Sequence, residues 1–188
     1  RADALGGLAI GSLLSLILIY SLLAIPLKSY VQPVIIMSVL PFGAVGAIAG
    51  HYVLDQQLVF FSALGLTALS GVVVNASLVL VDYANKRKLE GKTPIEAILG
   101  AASIRFRPII LTSVTTFVGL IPLMSTSTPA TAPFLPMVIS LAWGVLFATV
   151  ITLMLVPCLY IIIHDFVREA DSSEGEIGGL IEEPQSAG

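Results

Sequence analysis

Two segments of the sequence carry polar side chains at spacings that place them on one side of a helix. Asn75 and Asp82 are seven residues apart in an otherwise apolar segment, and Arg105 and Thr112 are also seven apart, with Thr116 four residues further on. Residues at such spacings recur on one face of an α-helix. An arginine aligned with hydroxyl groups in an apolar helix indicates a polar path that can bind water or protons.

Each of these side chains also has a purely structural interpretation. Asn75 lies near the middle of an apolar segment, where it either bonds to another helix or takes part in an ion path. Asp82 is expected to pair with Lys86, four residues later, at the membrane surface. The hydroxyls of Ser113 and Thr116 either bond to their own backbone or line the polar path. Asp82, Ser113 and Thr116 are therefore secondary candidates beside Asn75, Arg105 and Thr112.

The segments that hold these residues are long and uncharged. Asp, Glu, Lys and Arg are absent from residues 4–27, 29–54, 56–81 and 108–164. A helix needs about 20 apolar residues to cross the hydrocarbon layer, and the runs do not alternate as the strands of a membrane barrel do. The sequence predicts an all-α membrane protein, a bundle of about five transmembrane helices within residues 1–166. The predicted spans are about 6–26, 33–53, 59–84, 108–125 and 134–164.

Local signals refine the spans and their contacts. Pro108 suits the first turn of the fourth span, where its missing N–H costs nothing, and the residues before it are predicted to form a short amphipathic surface helix. Pro41 is expected to bend the second span. Gly46 and Gly50, like the pair at positions 7 and 11, have a spacing that lets membrane helices approach closely.

Composition excludes several function classes. Hydrophobic residues make up 56% of the 188 residues and charged residues only 11%, which is unlike a soluble enzyme, a disordered chain or a basic nucleic-acid binder. One Cys and two His give no framework for disulfides or metal, and no nucleophile motif or phosphate-binding loop is present. We therefore predict a membrane protein with no cofactor, no metal, no catalytic residues and no nucleic-acid partner.

The positive charges indicate the orientation. Of the nine Lys and Arg residues, all but Arg1 fall on the side of the membrane where the chain ends. Positive residues favour the cytoplasmic side, so the C-terminus is predicted to be cytoplasmic. Residues 167–188 are acidic and are predicted to be a disordered tail. The first residue is not Met, and an odd number of spans with an external N-terminus suggests a piece of a longer chain.

Four segments of the sequence resemble the resistance–nodulation–division (RND) efflux transporters. The resemblance runs in order from about residue 4 to residue 166 and corresponds to the eighth to twelfth helices of a twelve-helix transporter. It is to the subgroup that exports hydrophobic and amphiphilic compounds. The segments are IPLKSYVQPVIIMSVLPFG, GVVVNASLVLVDYAN, RFRPIILTSVTTFVGLIPL and FLPMVISLAWGVLFATVITLMLVPCLY.

The resemblance implies proton-driven export from the bacterial inner membrane, with the proton as the coupling ion. It implies a homotrimer in the lipid bilayer that works with a periplasmic adaptor and an outer-membrane channel, and it implies that the remainder of the transporter chain supplies the other helices and the periplasmic domains. In many members an acidic pair on the fourth helix interacts with a Lys on the tenth and with an Arg and a Thr on the eleventh. Asn75 matches the Lys position, and Arg105 and Thr112 match the other two.

Two residues depart from the family pattern. Asn75 carries no charge, and Ala76 follows it, where relatives with Asn often have Asp. An Asp at that depth can titrate and an Ala cannot. The alternatives are a related membrane protein that does not export, of the sterol-sensing or protein-secretion type, and a structural or split module with no transport activity alone.

Overall fold

The structure, a computed structural model, is built from helices. It describes the backbone of residues 2–125 and 128–181, and the side chains of 6–125 and 128–166. Within these ranges it contains no strand, so the all-α prediction is confirmed. The helices are α1 (Ala2–Leu27), α2 (Gln32–Met37), α3 (Leu40–Val53), α4 (Phe60–Leu89), α5 (Pro94–Ser125) and α6 (Leu135–Ile181), with a 3-10 turn at Ala132–Phe134.

Five helical segments are long and apolar enough to cross a membrane, as the sequence predicts. They contain 22, 22, 30, 32 and 35 residues. At 1.5 Å per residue, even the shortest exceeds the roughly 30 Å hydrocarbon layer. Their bounds are Gly6–Leu27, Gln32–Val53, Phe60–Leu89, Pro94–Ser125 and Ala132–Phe166.

The second span is interrupted where the sequence places its proline. The helix stops at Met37 and resumes at Leu40, one residue before Pro41. Proline has no N–H for the carbonyl four residues earlier, and its ring collides with that carbonyl. The intervening turn is closed instead by shorter bonds, such as Val39 N–H to the Ile36 carbonyl at 3.4 Å. The second span therefore consists of the short α2 and the longer α3.

A tight turn connects α4 to α5. Gly91 has φ of +85°, which glycine adopts without steric cost, and the Lys92 N–H bonds back to the Arg87 carbonyl at 3.4 Å. This is the Schellman arrangement that ends many helices. Thr93 and Glu96 then exchange side-chain bonds with each other's backbone N–H, at 3.3 and 3.2 Å. This capping box starts α5 at Pro94.

The prediction that Pro108 occupies the first turn of a helix is wrong. Pro108 lies inside α5, which runs unbroken from Pro94 to Ser125. The capping box starts the helix fourteen residues earlier, and propagation of an existing helix is easier than starting a new one. The expected surface helix and the fourth span are one helix. Arg105 therefore lies on the same continuous helix as Thr112 and Thr116.

Helix α6 is the centre of the bundle, since α3, α4 and α5 all pack against it. A side chain at Gly46 would overlap Phe147, and one at Gly50 would overlap Trp143. Close approach at this glycine pair is therefore confirmed. Nothing lies within 4 Å of a side chain built at Gly7 or Gly11, so the first pair makes no such contact among the described residues, and α1 lies at the edge of the bundle.

The last helix continues beyond the predicted end of the bundle at residue 166. Its backbone is helical to Ile181, which differs from the disordered tail predicted from residue 167. The difference has a physical cause, because α6 is already formed and each further residue adds one backbone bond. The end of the predicted tail, 182–188, lies outside the described residues.

Candidate functional site

One cavity brings together five of the six residues singled out in the sequence. It has a volume of about 220 Å³ and lies among α4, α5 and α6. Only Asp82 is not part of its wall. The predicted polar residues in the wall are Asn75, Arg105, Thr112, Ser113 and Thr116. The seven- and four-residue spacings therefore do place these side chains around one space.

The α5 wall of the cavity is a row of hydroxyl groups bonded to their own helix. Thr112 donates to the Ile109 carbonyl at 2.9 Å, and Thr116 donates to the Thr112 carbonyl at 2.8 Å. Such backbone bonds satisfy the hydroxyl hydrogens inside an apolar layer. The hydroxyl oxygens keep lone pairs that can accept a further hydrogen from water or from another side chain.

Ser113 and Thr149 join the walls contributed by α5 and α6. Their hydroxyl oxygens are 2.5 Å apart, and each also lies within bonding distance of a carbonyl of its own helix, at 3.0 Å for Ser113 and 2.7 Å for Thr149. Two hydroxyls have only two hydrogens for these three contacts. One contact is therefore always made without a hydrogen, and the pair can reverse its direction of donation.

Arg105 stands at the N-terminal end of the α5 wall with an incomplete set of partners. Its Nε is buried and has no hydrogen-bond partner among the described residues. Its guanidinium carbon lies 5.0 Å from the centroid of the Tyr83 ring, which is within the range of a cation–π contact. The one ion pair found in the described part of the chain joins Lys86 to Asp82. Arg105 thus presents a positive charge to the cavity without a carboxylate to balance it.

Asn75 faces the cavity from α4. Its side chain is exposed, and it makes no hydrogen bond with any other described residue. The interhelical bond that is the structural alternative for Asn75 is thus not formed among the residues that the structure describes. Ala76 lines the same space, so the position where relatives carry Asp does reach the cavity.

Asp82 forms the ion pair with Lys86 that its structural interpretation predicts. Its carboxylate is 2.7 Å from the Lys86 ammonium, and both side chains are well exposed. Exposed pairs of this kind contribute little to stability, about 0.3–0.5 kcal/mol at this helix spacing. Asp82 therefore belongs to the surface of α4 rather than to the cavity.

Sequence reasoning missed three residues at the site. Thr149 and Thr152 line the cavity from α6, and their three-residue spacing within an apolar span is the signal that could have found them. Tyr83 lies beneath Arg105, and nothing in the sequence alone pairs these two. An aromatic residue at a membrane interface is common, so Tyr83 had an ordinary explanation.

The cavity has the chemistry of a partial site. It supplies one guanidinium, one amide and several hydroxyls, and none of the described residues in its wall is acidic. Arg105 is half-buried, and its buried Nε lacks the anionic partner that would offset its loss of solvation. The arrangement can therefore bind and orient carboxylates that come from outside this chain segment, with hydroxyl groups nearby to bind water.

The sequence pattern of the AcrB/AcrD/AcrF family matches residues 2–164, which is nearly the whole chain. The chain belongs to the AcrB/AcrD/AcrF family. The resemblance to RND efflux transporters is thereby confirmed. The match includes the cavity-lining parts of α4, α5 and α6, so these residues occupy positions of the family's transmembrane region.

Individual relatives of this RND chain agree with the assignment. Multidrug resistance protein MdtC of Proteus mirabilis is 32% identical over 158 residues, which are 84% of this chain and 15% of that protein. Swarming motility protein SwrC of Bacillus subtilis is 30% identical over 176 residues, 93% of this chain and 17% of that protein. The crystal structure of a heavy metal efflux pump superimposes with a TM-score of 0.65 at 26% identity, covering 77% of this chain and 15% of the pump.

The RND chain is much shorter than these relatives. It spans 15% and 17% of the length of the two curated proteins.

Proposed function

We propose that the chain is the closing transmembrane part of a proton-driven exporter of hydrophobic or amphiphilic compounds. The observation that carries the proposal is the shared cavity, in which Asn75, Arg105 and Thr112 meet. These are the positions that match the family's Lys, Arg and Thr. Transport, rather than catalysis, also fits a site made of hydroxyls, one amide and one cation.

The proposed mechanism begins with the unpaired charge of Arg105. Carboxylates from the remainder of the transporter would lie opposite its buried Nε, where the guanidinium favours their ionised form. Proton binding would weaken this attraction and let the helices separate, and proton release would restore it. The Thr112 hydroxyl would hydrogen-bond along the path, and Asn75 would be a neutral partner. Because α5 is one continuous helix from Pro94 to Ser125, movement at Arg105 would displace the whole of α5.

The assembly and location are part of the same proposal. We place the protein in the bacterial inner membrane with its C-terminus in the cytoplasm, since Lys and Arg gather on that side. The remainder of the transporter chain would complete the cavity. A homotrimer, a periplasmic adaptor and an outer-membrane channel would complete the export path, as the resemblance to exporters of amphiphilic compounds implies.

A second candidate function follows from the two neutral residues. Asn75 and Ala76 both line the cavity, so the α4 wall offers no titratable group there. A cavity with reduced charge also suits a non-exporting relative, or a structural module that packs against its partner without coupling to protons. The two functions predict different responses to charge removal at Arg105.

The test uses the full-length transporter reconstituted in proteoliposomes with an imposed proton gradient. Arg105→Ala is expected to reduce efflux at least about a hundredfold, because a charge pair about 4 Å apart in a partly buried site contributes about 4 kcal/mol. Arg105→Lys keeps the charge but loses the planar fork and is expected to retain about a tenth of the activity. Arg107→Ala is the matched control, since Arg107 is exposed on the same helix and does not line the cavity.

Substitutions at Thr112 separate chemistry from packing. Thr112→Ser retains the hydroxyl and is expected to keep most of the activity, whereas Thr112→Val retains the shape and is expected to lose it. A purely structural role predicts the reverse order, with Val the milder change. Normal proton-coupled efflux by Arg105→Ala at normal protein level would contradict the proposal and favour the second candidate.

A further inference from the structure

A hydrogen-bonded cluster joins three helices at the cytoplasmic end of the bundle. The Gln32 amide donates to Asn85 Oδ1 at 3.1 Å, and the Asn85 amide donates to Gln32 Oε1 at 2.7 Å. The hydroxyl of Tyr160 also donates to Asn85 Oδ1, at 2.9 Å. The cluster of Gln32, Asn85 and Tyr160, here called the amide clasp, connects α2, α4 and α6.

The amide clasp is a well-satisfied site rather than an incidental contact. Asn85 Oδ1 accepts two hydrogen bonds, which is the full capacity of its lone pairs. Tyr160 is only 4% exposed, so its hydroxyl has little access to any other partner. One turn further along, the Lys88 ammonium lies 2.7 Å from Nε2 of His164 and adds a second link between α4 and α6. The polar bonds therefore hold α4 at two successive turns.

Two of the three helical spans that the amide clasp joins contain a proline near the clasp. Pro41 separates Gln32 and α2 from the rest of the second span, and Pro157 precedes Tyr160 by three residues in α6. Proline removes a helix bond and allows bending at these points. Residues 60–89 of α4, in contrast, contain no proline. The clasp thus joins the cytoplasmic ends of two bendable spans to one helix without a proline break.

Asn75 lies on the same helix, α4, as Asn85. The two residues are ten apart, or about 15 Å along the axis at 1.5 Å per residue. A helix held at Asn85 by bonds in two directions cannot rotate freely about its axis, so the direction of the Asn75 side chain into the cavity is fixed as well. Neither Gln32 nor Tyr160 lines the cavity, and their effect on it passes through α4.

We propose that Asn85, held by Gln32 and Tyr160, is a positioning residue that sets the rotation of α4 and so the presentation of Asn75 to the cavity. The inference rests on the proposed function of the cavity in proton-coupled transport. When α4 moves, the clasp carries the cytoplasmic ends of α2 and α6 with it, and the proline breaks absorb the displacement.

The test compares two tyrosines in the full-length transporter. Tyr160→Phe removes only the clasp hydroxyl and is expected to lower the maximal efflux rate about fivefold, the equivalent of one hydrogen bond, with an unchanged KM. Tyr20→Phe is the matched control, because the Tyr20 hydroxyl bonds at 2.9 Å to the Tyr30 carbonyl, which is not part of the clasp. In an Asn75→Ala background, Tyr160→Phe is expected to lower the maximal efflux rate by less than twofold.

A distance measurement tests the clasp without relying on transport. Spin labels are placed at Leu89→Cys, at the end of α4, and at Phe166→Cys, at the end of the apolar part of α6; both positions are exposed. They are expected to give a broader distance distribution after Tyr160→Phe and an unchanged one after Tyr20→Phe. An unchanged distribution after Tyr160→Phe would overturn the proposal, and so would an equal rate loss with and without Asn75. Full transport by both Asn75→Ala and Arg105→Ala, with the distribution still broadened, would instead refute the proposed function.

Discussion

The contact between Arg105 and Tyr83 predicts a specific loss when the aromatic ring is removed. We expect Tyr83→Leu to lower proton-coupled efflux and Tyr83→Phe to leave it nearly unchanged. Phenylalanine keeps the negative ring face on which the guanidinium lies, whereas leucine has a similar bulk and no such face. The pair of substitutions therefore separates the ring's electrostatic effect from simple space filling.

The magnitude follows from the geometry of the contact. The guanidinium carbon lies 5.0 Å from the ring centroid, inside the limit of about 6 Å for a favourable cation–π contact. Such contacts contribute about 0.5–1 kcal/mol at exposed sites and about 2 kcal/mol or more when desolvated. Arg105 is half-buried, so about 1 kcal/mol is expected. If the contact orients Arg105 for the transport step, Tyr83→Leu should reduce the rate about fivefold.

The assay is proton-coupled efflux by the full-length transporter in proteoliposomes, normalised to reconstituted protein. A second background, Arg105→Ala, makes the test specific, because Tyr83→Leu should have no further effect once the guanidinium is gone. Efflux by Tyr83→Leu as fast as by the unsubstituted protein would refute the reasoning. A loss in Tyr83→Phe as large as in Tyr83→Leu would show that the hydroxyl, and not the ring, matters.

Two further predictions concern packing and orientation. Gly50→Leu should destabilise the 188-residue chain by about 1–3 kcal/mol, the typical cost of overpacking, because any side chain at Gly50 overlaps Trp143. Its thermal midpoint in detergent should fall accordingly. Gly7→Leu, at a position with open space around it, should leave the thermal midpoint unchanged. In a cysteine-free full-length protein, an impermeant thiol reagent should label Thr128→Cys only from the periplasm and Lys92→Cys only from the cytoplasm. Labelling of both positions from the same side would contradict the predicted topology.

Much of the fold could be predicted because membrane spans are determined by hydrophobic length. Uncharged runs predict five spans, and the structure has five helical segments that are long and apolar enough to cross a membrane. The break before Pro41 also follows from backbone chemistry that is local to the sequence. The place of Pro108 in its helix was predicted incorrectly. The capping box of Thr93 and Glu96, and not the proline, decides where α5 starts.

The candidate site was predictable along each helix but not between helices. Periodicity placed Arg105, Thr112 and Thr116 on one face of a helix, and all three line the same cavity. The partners across the helix interfaces depend on which faces meet, which no single-helix pattern encodes. Thr149 opposite Ser113 is therefore visible only in the folded chain. The same applies to the amide clasp, whose members are separated by more than fifty residues in sequence.

The neutral Asn75 makes Arg105 more important here than its counterpart is expected to be in members with a lysine at that position. The resemblance implies an acidic pair facing the cavity, and two neighbouring carboxylates cannot both ionise without positive charge nearby. A lysine and an arginine together can balance two carboxylates, whereas Arg105 is the one cation among the described residues that line this cavity. One carboxylate would then be balanced by Arg105 while the other is favoured in its protonated form. The hydroxyls of α5 and α6 can solvate that second group but cannot neutralise it. Under the proposed coupling to protons, Arg105 would supply all of the positive charge that the described wall of the cavity contributes.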